Sequence, residues 1–349
     1  MQILGNYRGL VHAARILTFA VVGIPTIVTA AAQQDGPTTL TTVGKIEIQH
    51  VQGTVYMLSG AGPNITVQLS DEAVYVVDAG PPEMTDQVVA AIRTLSKRPI
   101  SNIIDTSADP DHAGGNANLA KAGFYDTGQP GERAGAGIAA NLNVLNRLTA
   151  EKRPFEELPT DTYEVHSWAL FNGEPVILMH APAAHTDGDT YVFFRRSDVI
   201  STGDVYTPSL YPVIRADQGG TVDGLIDGLN DIIAIMVPRE NEEGGTYLIP
   251  GHGRICDRTD IVDYRDALTI IRGRVQEMVS KGMTLDQVKA AKPSYDYDGM
   301  YGADSGEWTT SMFIEAVYND VAKAKKDLAA KPAASSKSKN AANAGGKQP

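Results

Sequence analysis

The chain is short of three things, and each shortage removes a class of protein. Among its 349 residues Cys256 is the single cysteine, so no internal disulfide framework can form and a small stapled fold is excluded. Positive charge is scarce: 30 Lys and Arg stand against 42 Asp and Glu, a formal net charge of −12, which argues against nucleic acid as a partner. Long apolar runs are absent apart from one, at residues 16–32. What remains, 42% hydrophobic and 21% charged, suits one large globular domain of two or more layers rather than a disordered or fibrous chain.

The apolar run differs from the rest. Arg8 and Arg15 precede it, Pro25 interrupts it, and Ala30-Ala31-Ala32 closes it before Gln33, the charge, core and small-residue order of a secretory signal. An uncleaved membrane anchor is the alternative, because the run is near the lower length limit for a span. Cleavage would remove two arginines and His12 and no acids, taking the net charge from −12 to −14. The expected organisation is a signal at 1–32, a linker at 33–43, the main domain with its C-terminal helices at 44–325 and a tail at 326–349. Residues 331–349 are mostly Ala, Ser, Lys, Asn and Gly without apolar periodicity, which predicts disorder. Export to the periplasm or the exterior, without stable membrane insertion, follows if the signal is cleaved.

Between these ends strands and helices alternate. Apolar and turn patterning predicts strands at 45–51, 54–59, 65–69, 73–78, 100–106, 162–167, 176–180, 190–194, 199–202 and 247–249. Helical spacing predicts helices at 84–96, 142–148, 222–236, 261–280 and 309–323. Two sheets packed face to face, with helices outside, account for this mixture. The stretch 123–159, rich in Gly, Ala and Asn, is expected to be a flap or small helical insertion near a site mouth, or a mobile surface loop carrying one helix.

Several predicted strands end on a potential metal ligand. The segments are Thr106-Ser107-Ala108-Asp109-Pro110-Asp111-His112, Ala184-His185-Thr186-Asp187-Gly188-Asp189, Ser201-Thr202-Gly203-Asp204 and Ile249-Pro250-Gly251-His252-Gly253, with Val77-Asp78-Ala79-Gly80 upstream. Their order and spacing over residues 45 to 255 resembles the metallo-β-lactamase-fold hydrolases. In that family the first segment usually reads Thr-His-x-His-x-Asp-His, so Ser107 and Asp109 stand here in place of two histidines.

The resemblance implies an α/β fold, a four-layer αβ/βα sandwich. It also implies a zinc site with Asp111, His112 and His252 as ligands, and Asp204 closing that site or bridging two. His185 would belong to a second site together with Asp109, which can ligate through an anionic oxygen, whereas the neutral Ser107 hydroxyl is a poor zinc ligand. One zinc ion is expected, with occupancy of the second site left open. Asp109, if unligated, becomes a candidate general base beside Asp111, on the expectation that the acidic neighbourhood raises its pKa. Asp78 matches a family aspartate that supports the ligand loop, and Asp189 reads as a turn or structural residue. Taken singly, Asp109 and Asp111 could each be helix N-caps or turn residues. Cys256, His50, His166 and His180 read as packed or satisfied residues rather than ligands.

The expected function is hydrolysis of a small-molecule ester, thioester, lactone or amide by a metal-activated water. Family members that cleave β-lactams often place Cys or Ser where Asp204 stands. β-Lactam hydrolysis of the mono-zinc type, and a catalytically silent binding or scaffold role, are the alternatives. Tyr206 and Tyr211 follow Asp204 and are candidate substrate contacts or core. A helix opened by Glu307-Trp308 and carrying Phe313, Ile314, Val317 and Tyr318 is expected to dock on the domain or on a second subunit.

Overall fold

The computed structural model describes residues 37–124, 135–164, 167–241 and 244–330. The expected signal, the tail beyond 330, His12 and His166 lie outside the described residues, as does 125–134 of the expected insertion.

The first sheet runs in chain order through β1 (Thr38–Val43), β2 (Ile46–Gln52), β3 (Val55–Ser59), β4 (Ile65–Leu69), β5 (Val74–Val77), β6 (Ile100–Ile104), β7 (Gly137–Asn141) and β8 (Asp161–Tyr163). The second places β9 (Ser167–Phe171), β10 (Pro175–Ala181), β11 (Asp189–Phe194), β12 (Val199–Gly203) and β13 (Tyr247–Pro250) side by side. Strands β1 to β5 form an antiparallel meander, while β5 to β8 and the pair β12/β13 are parallel. The helices are α1 (Thr85–Leu95), α2 (Pro110–Ala113), α3 (Asn116–Ala122), α4 (Leu142–Ala150), α5 (Val222–Ile235), α6 (Arg258–Ser280), α7 (Leu285–Ala291), α8 (Asp298–Tyr301) and α9 (Thr310–Ala330).

Strand alternation sorts the core into layers. On β5, Val74 and Val76 pack against Val88, Ala91 and Ile92 of α1 and Leu119 of α3, while Tyr75 and Val77 face the other sheet. On β12 and β13, Val199, Tyr247 and Ile249 join that inter-sheet layer, and Ile200 and Leu248 pack outward against α5, α6 and α9. The result is the expected four-layer αβ/βα sandwich. Phe313, Ile314 and Val317 of α9 are buried in this outer layer, so the helix docks on its own domain.

Three local expectations are corrected. Residues 38–43 form β1, paired with β2 across a turn at Gly44, rather than linker; Thr-Thr-Leu-Thr-Thr-Val offers β-branched residues to the edge but little apolar contrast. Within 123–159, residues 137–141 are the buried strand β7 between β6 and β8, not part of a flap; Gly137, Ala139, Ala140 and Asn141 are poor strand formers and leave Ile138 as the one β-branched residue. Helix α9 continues to Ala330, past the boundary placed at 325.

The topology decides where chemistry can occur. Asp78 follows β5, the 106–112 loop follows β6, His185 follows β10, Asp204 follows β12 and His252 follows β13, so all these loops leave the C-terminal ends of their strands. Backbone bonds hold this end together: Thr190 N to Thr106 O at 2.8 Å and Asn64 N to Gly251 O at 2.7 Å join the two sheets, and Ala79 N to His112 O at 2.8 Å ties two loops of the first.

Candidate metal centre

Asp78 is held in the left-handed backbone region at φ 66 and is buried. Its carboxylate accepts from Thr106 N at 2.8 Å and from Thr106 Oγ1 at 2.9 Å, and lies 2.8 Å from His112 Nδ1. With Nδ1–H donating to Asp78, the Nε2 lone pair of His112 points into the site, the arrangement that fixes a metal-binding imidazole. His185 is set the same way: Nδ1 donates to Val213 O at 2.7 Å and leaves Nε2 facing Asp109 Oδ2 at 3.1 Å. Asp189 braces that loop, accepting from Thr186 N at 2.7 Å and Thr186 Oγ1 at 2.6 Å, while burial holds its carboxyl up at about 6.

The side chains converge as two trios. Asp111, His112 and His252 offer ligand atoms within 4.8 Å of one another, and so do Asp109, His185 and Asp204. Asp204 lies between the trios, with Oδ2 at 3.3 Å from His112 Nε2 and 4.0 Å from His185 Nε2, and Oδ1 at 3.9 Å from His252 Nε2. His252 Nε2 meets Asp111 Oδ2 at 3.1 Å. Burial would raise the Asp204 carboxyl, but His112, His185 and His252 outweigh it and hold Asp204 well below the usual carboxylate range. Tight contacts set Asp204 in place: a Cβ on Gly203, whose φ is +50, would sit 2.5 Å from Thr106 Oγ1.

These residues fit a zinc ion. His112 Nε2 and Asp204 Oδ1 are buried and make no hydrogen bond among the described residues, an arrangement polar atoms rarely tolerate without a further partner. Bare imidazole nitrogens facing carboxylate oxygens repel unless a proton or a cation lies between them, and a mixed nitrogen and oxygen donor set suits zinc. Asp109 is the N-cap residue of α2, but its side chain makes no capping bond and is turned to His185. Ser107 does not join the ligands: its hydroxyl accepts from Asp109 N at 3.2 Å in a local turn.

One expectation about acidity is reversed. Burial favours a raised Asp109 pKa, but the hydrogen bond and charge of His185, with Arg215 beside it, bring the carboxyl below its ordinary value. Asp111 is lowered likewise, burial being outweighed by His252 and His112. The acidic neighbours are real, yet cations sit closer.

Above the trios opens a cleft of about 770 Å³, walled by Leu210, Tyr211, Arg215, Trp308 and Met312. Arg215, Trp308 and Met312 were not legible as site residues from their sequence context. Trp308 and Met312 lie more than fifty residues beyond His252 and line the cleft from the start of α9 and the segment before it. Tyr211 lines the cleft but is buried, stacking on Phe313 with ring centroids 4.4 Å apart, whereas Tyr206 packs against Tyr264 in the core. The remaining described histidines are satisfied locally, His50 on Gly53 O at 3.0 Å and His180 on Asp187 O at 2.8 Å. Cys256 is buried, its Sγ donates to Arg254 O, and burial pushes its thiol up to about 12.

The family model described as the Metallo-beta-lactamase superfamily matches residues 59–230. No curated protein matches the sequence. Among solved structures, the stereoselective inverting sec-alkylsulfatase Pisa1 from Pseudomonas sp. superposes with a TM-score of 0.57 at 15% identity, over 78% of this chain and 49% of that one. The chain thus spans about half the length of the alkylsulfatase. The DIM-1 metallo-beta-lactamase superposes with a TM-score of 0.51 at 16% identity, over 64% of this chain and 97% of that one. At these identities the likeness is one of fold.

Proposed function

Because the chain belongs to the metallo-β-lactamase superfamily, we propose that it is a zinc-dependent hydrolase of a small ester, thioester, lactone or amide. The observation that carries this reading is the convergence of His185 and His252 with Asp109, Asp111 and Asp204 on one solvent-reached cleft, with the buried His112 directly beside them. Asp111, His112 and His252 would hold the ion, with Asp204 completing the set. Zinc bound there supplies an acidified water and a polarised scissile bond.

The protein's own groups do the rest. Asp78 keeps the His112 proton on Nδ1, and Val213 does the same for His185. Asp109 and Asp111, both ionised at neutral pH, accept hydrogen bonds at the cleft floor and orient the attacking water. Leu210, Trp308 and Met312 exclude solvent along one wall and pack against the apolar part of a substrate. The partner is therefore a small molecule. No helix among the described residues is long and apolar enough to cross a membrane. Export through the 1–32 leader is part of the same proposal, resting on that segment's composition.

Elemental analysis of the zinc-loaded protein, followed by turnover assays on an aryl ester, a lactone, a thioester, a β-lactam and an alkyl sulfate, tests the proposal. His112→Ala and His252→Ala should each lose tight zinc binding and turnover together. Full activity in either variant, or a folded protein that holds no zinc, would overturn it.

A further inference from the structure

Arg215 occupies a place where a second cation would be expected. Its guanidinium lies 3.5 Å from Asp109 Oδ2, the same oxygen that His185 Nε2 approaches at 3.1 Å. The backbone fixes this meeting from both directions: Arg215 N donates to His185 O at 2.9 Å, while His185 Nδ1 donates to Val213 O at 2.7 Å. Arg215 and His185 are thus parts of one short stitched unit whose side chains converge on Asp109. Among the described residues that line the cleft, Arg215 is the sole lysine or arginine, and its side chain is 47% exposed, so it faces the cleft as well as Asp109.

The donor set on this side is correspondingly weak. Ser107 is turned onto the backbone of Asp109, leaving Asp109, His185 and the shared Asp204. A divalent ion placed among them would sit within a few ångströms of the Arg215 guanidinium, and like charges at that separation repel strongly even with an effective dielectric near that of a protein surface. The ordered Arg215 supplies a single positive charge there without requiring ligands of its own.

We propose that Arg215 takes the place of a second metal ion: it neutralises Asp109, keeps the Asp109–His185–Asp204 side free of zinc, and presents its guanidinium to a negatively charged or polarised oxygen of the substrate. This rests on the reading of the Asp111–His112–His252 side as the zinc site, and it makes that site mononuclear.

The test counts metal by native mass spectrometry and zinc titration, without reference to turnover, on the wild-type chain, Arg215→Met, Arg215→Lys and the pair Arg215→Met/His185→Ala. The exposed Arg215 side chain can be replaced while its backbone bond to His185 stays, and circular dichroism confirms each fold. One zinc in the wild type and in Arg215→Lys, two in Arg215→Met, and one again in the double variant is the expected result. The second zinc should bind Arg215→Met on the order of a hundredfold more tightly than it binds the wild type. Two tightly held ions in the wild type, or one in Arg215→Met, would overturn the role of Arg215 while leaving the hydrolase reading in place. No zinc in the wild type would overturn both.

Discussion

Replacing Asp78 by asparagine isolates the link between a buried carboxylate and the metal-binding state of His112. Asparagine is nearly isosteric and tolerates the positive φ of 66 at this position, so the backbone has no reason to move. The asparagine oxygen can keep Thr106 N–H and the Thr106 hydroxyl, which now sit 2.8 to 3.0 Å from the carboxylate. The amide nitrogen then falls where Oδ2 was, 2.8 Å from His112 Nδ1. Two N–H groups cannot share that contact, so the imidazole moves its proton to Nε2 and loses the lone pair that the proposed site would offer to zinc. Removing such an outer partner typically costs about 10- to 100-fold in metal affinity, equivalent to about 1.4 to 2.7 kcal/mol at room temperature. The loss of one charge-assisted bond should also lower the stability of the metal-free protein by about 1.5 to 3 kcal/mol. Competition against a chromophoric chelator measures the first quantity, and urea unfolding of the metal-free protein measures the second. A natively folded Asp78→Asn protein whose zinc affinity stays within about threefold of wild type, short of the smallest loss expected, would refute the reasoning.

Gly203→Ala should be severe for its size: the added Cβ meets Thr106 Oγ1 at 2.5 Å and the φ of +50 is strained for alanine, so urea unfolding should show a loss of about 2 to 4 kcal/mol. Ser107→Ala should leave zinc content unchanged and cost about 1 kcal/mol, because the hydroxyl only caps Asp109 N; altered stoichiometry would make Ser107 a ligand after all. The metal-free protein should lose stability in alkali. Burial by itself lowers the His185 pKa, but Asp109, Asp189 and Asp204 raise it to about 9 from 6.5. A raised histidine stabilises fully below 6.5, progressively less as pH rises from 6.5 to 9, and not at all well above 9, a span worth about 3 kcal/mol. The melting temperature of the chelator-treated protein should therefore fall across this window, and His185→Gln should flatten the fall.

The ligand segments were legible because each is local: a short apolar strand, a turn and one or two donors in fixed order. The same locality made the inter-sheet strands readable by period, as in Val74 to Val77, whose alternate residues face different layers. Strand β7 is not legible because Ile138 is its one β-branched residue among glycine, alanine and asparagine, and parallel pairing with β6 and β8 holds it as a strand. The acidity of Asp109 was misread for a related reason. Neighbours along the chain, Asp111 above all, suggested repulsion, whereas the closest charges are His185, 76 residues away, and Arg215.

The amino-acid sequence alone carried the family resemblance, the layered α/β architecture and the candidate donors, since those depend on residue type, order and periodicity within each segment. Only the tertiary structure decided which donors share a trio, that Ser107 faces the backbone, that Arg215 stands against Asp109 and that Trp308 and Met312 wall the cleft. Those relations are set by parallel strand ends meeting across two sheets and by the return of the chain into α9. They are distances between segments remote in sequence, and no local pattern encodes them.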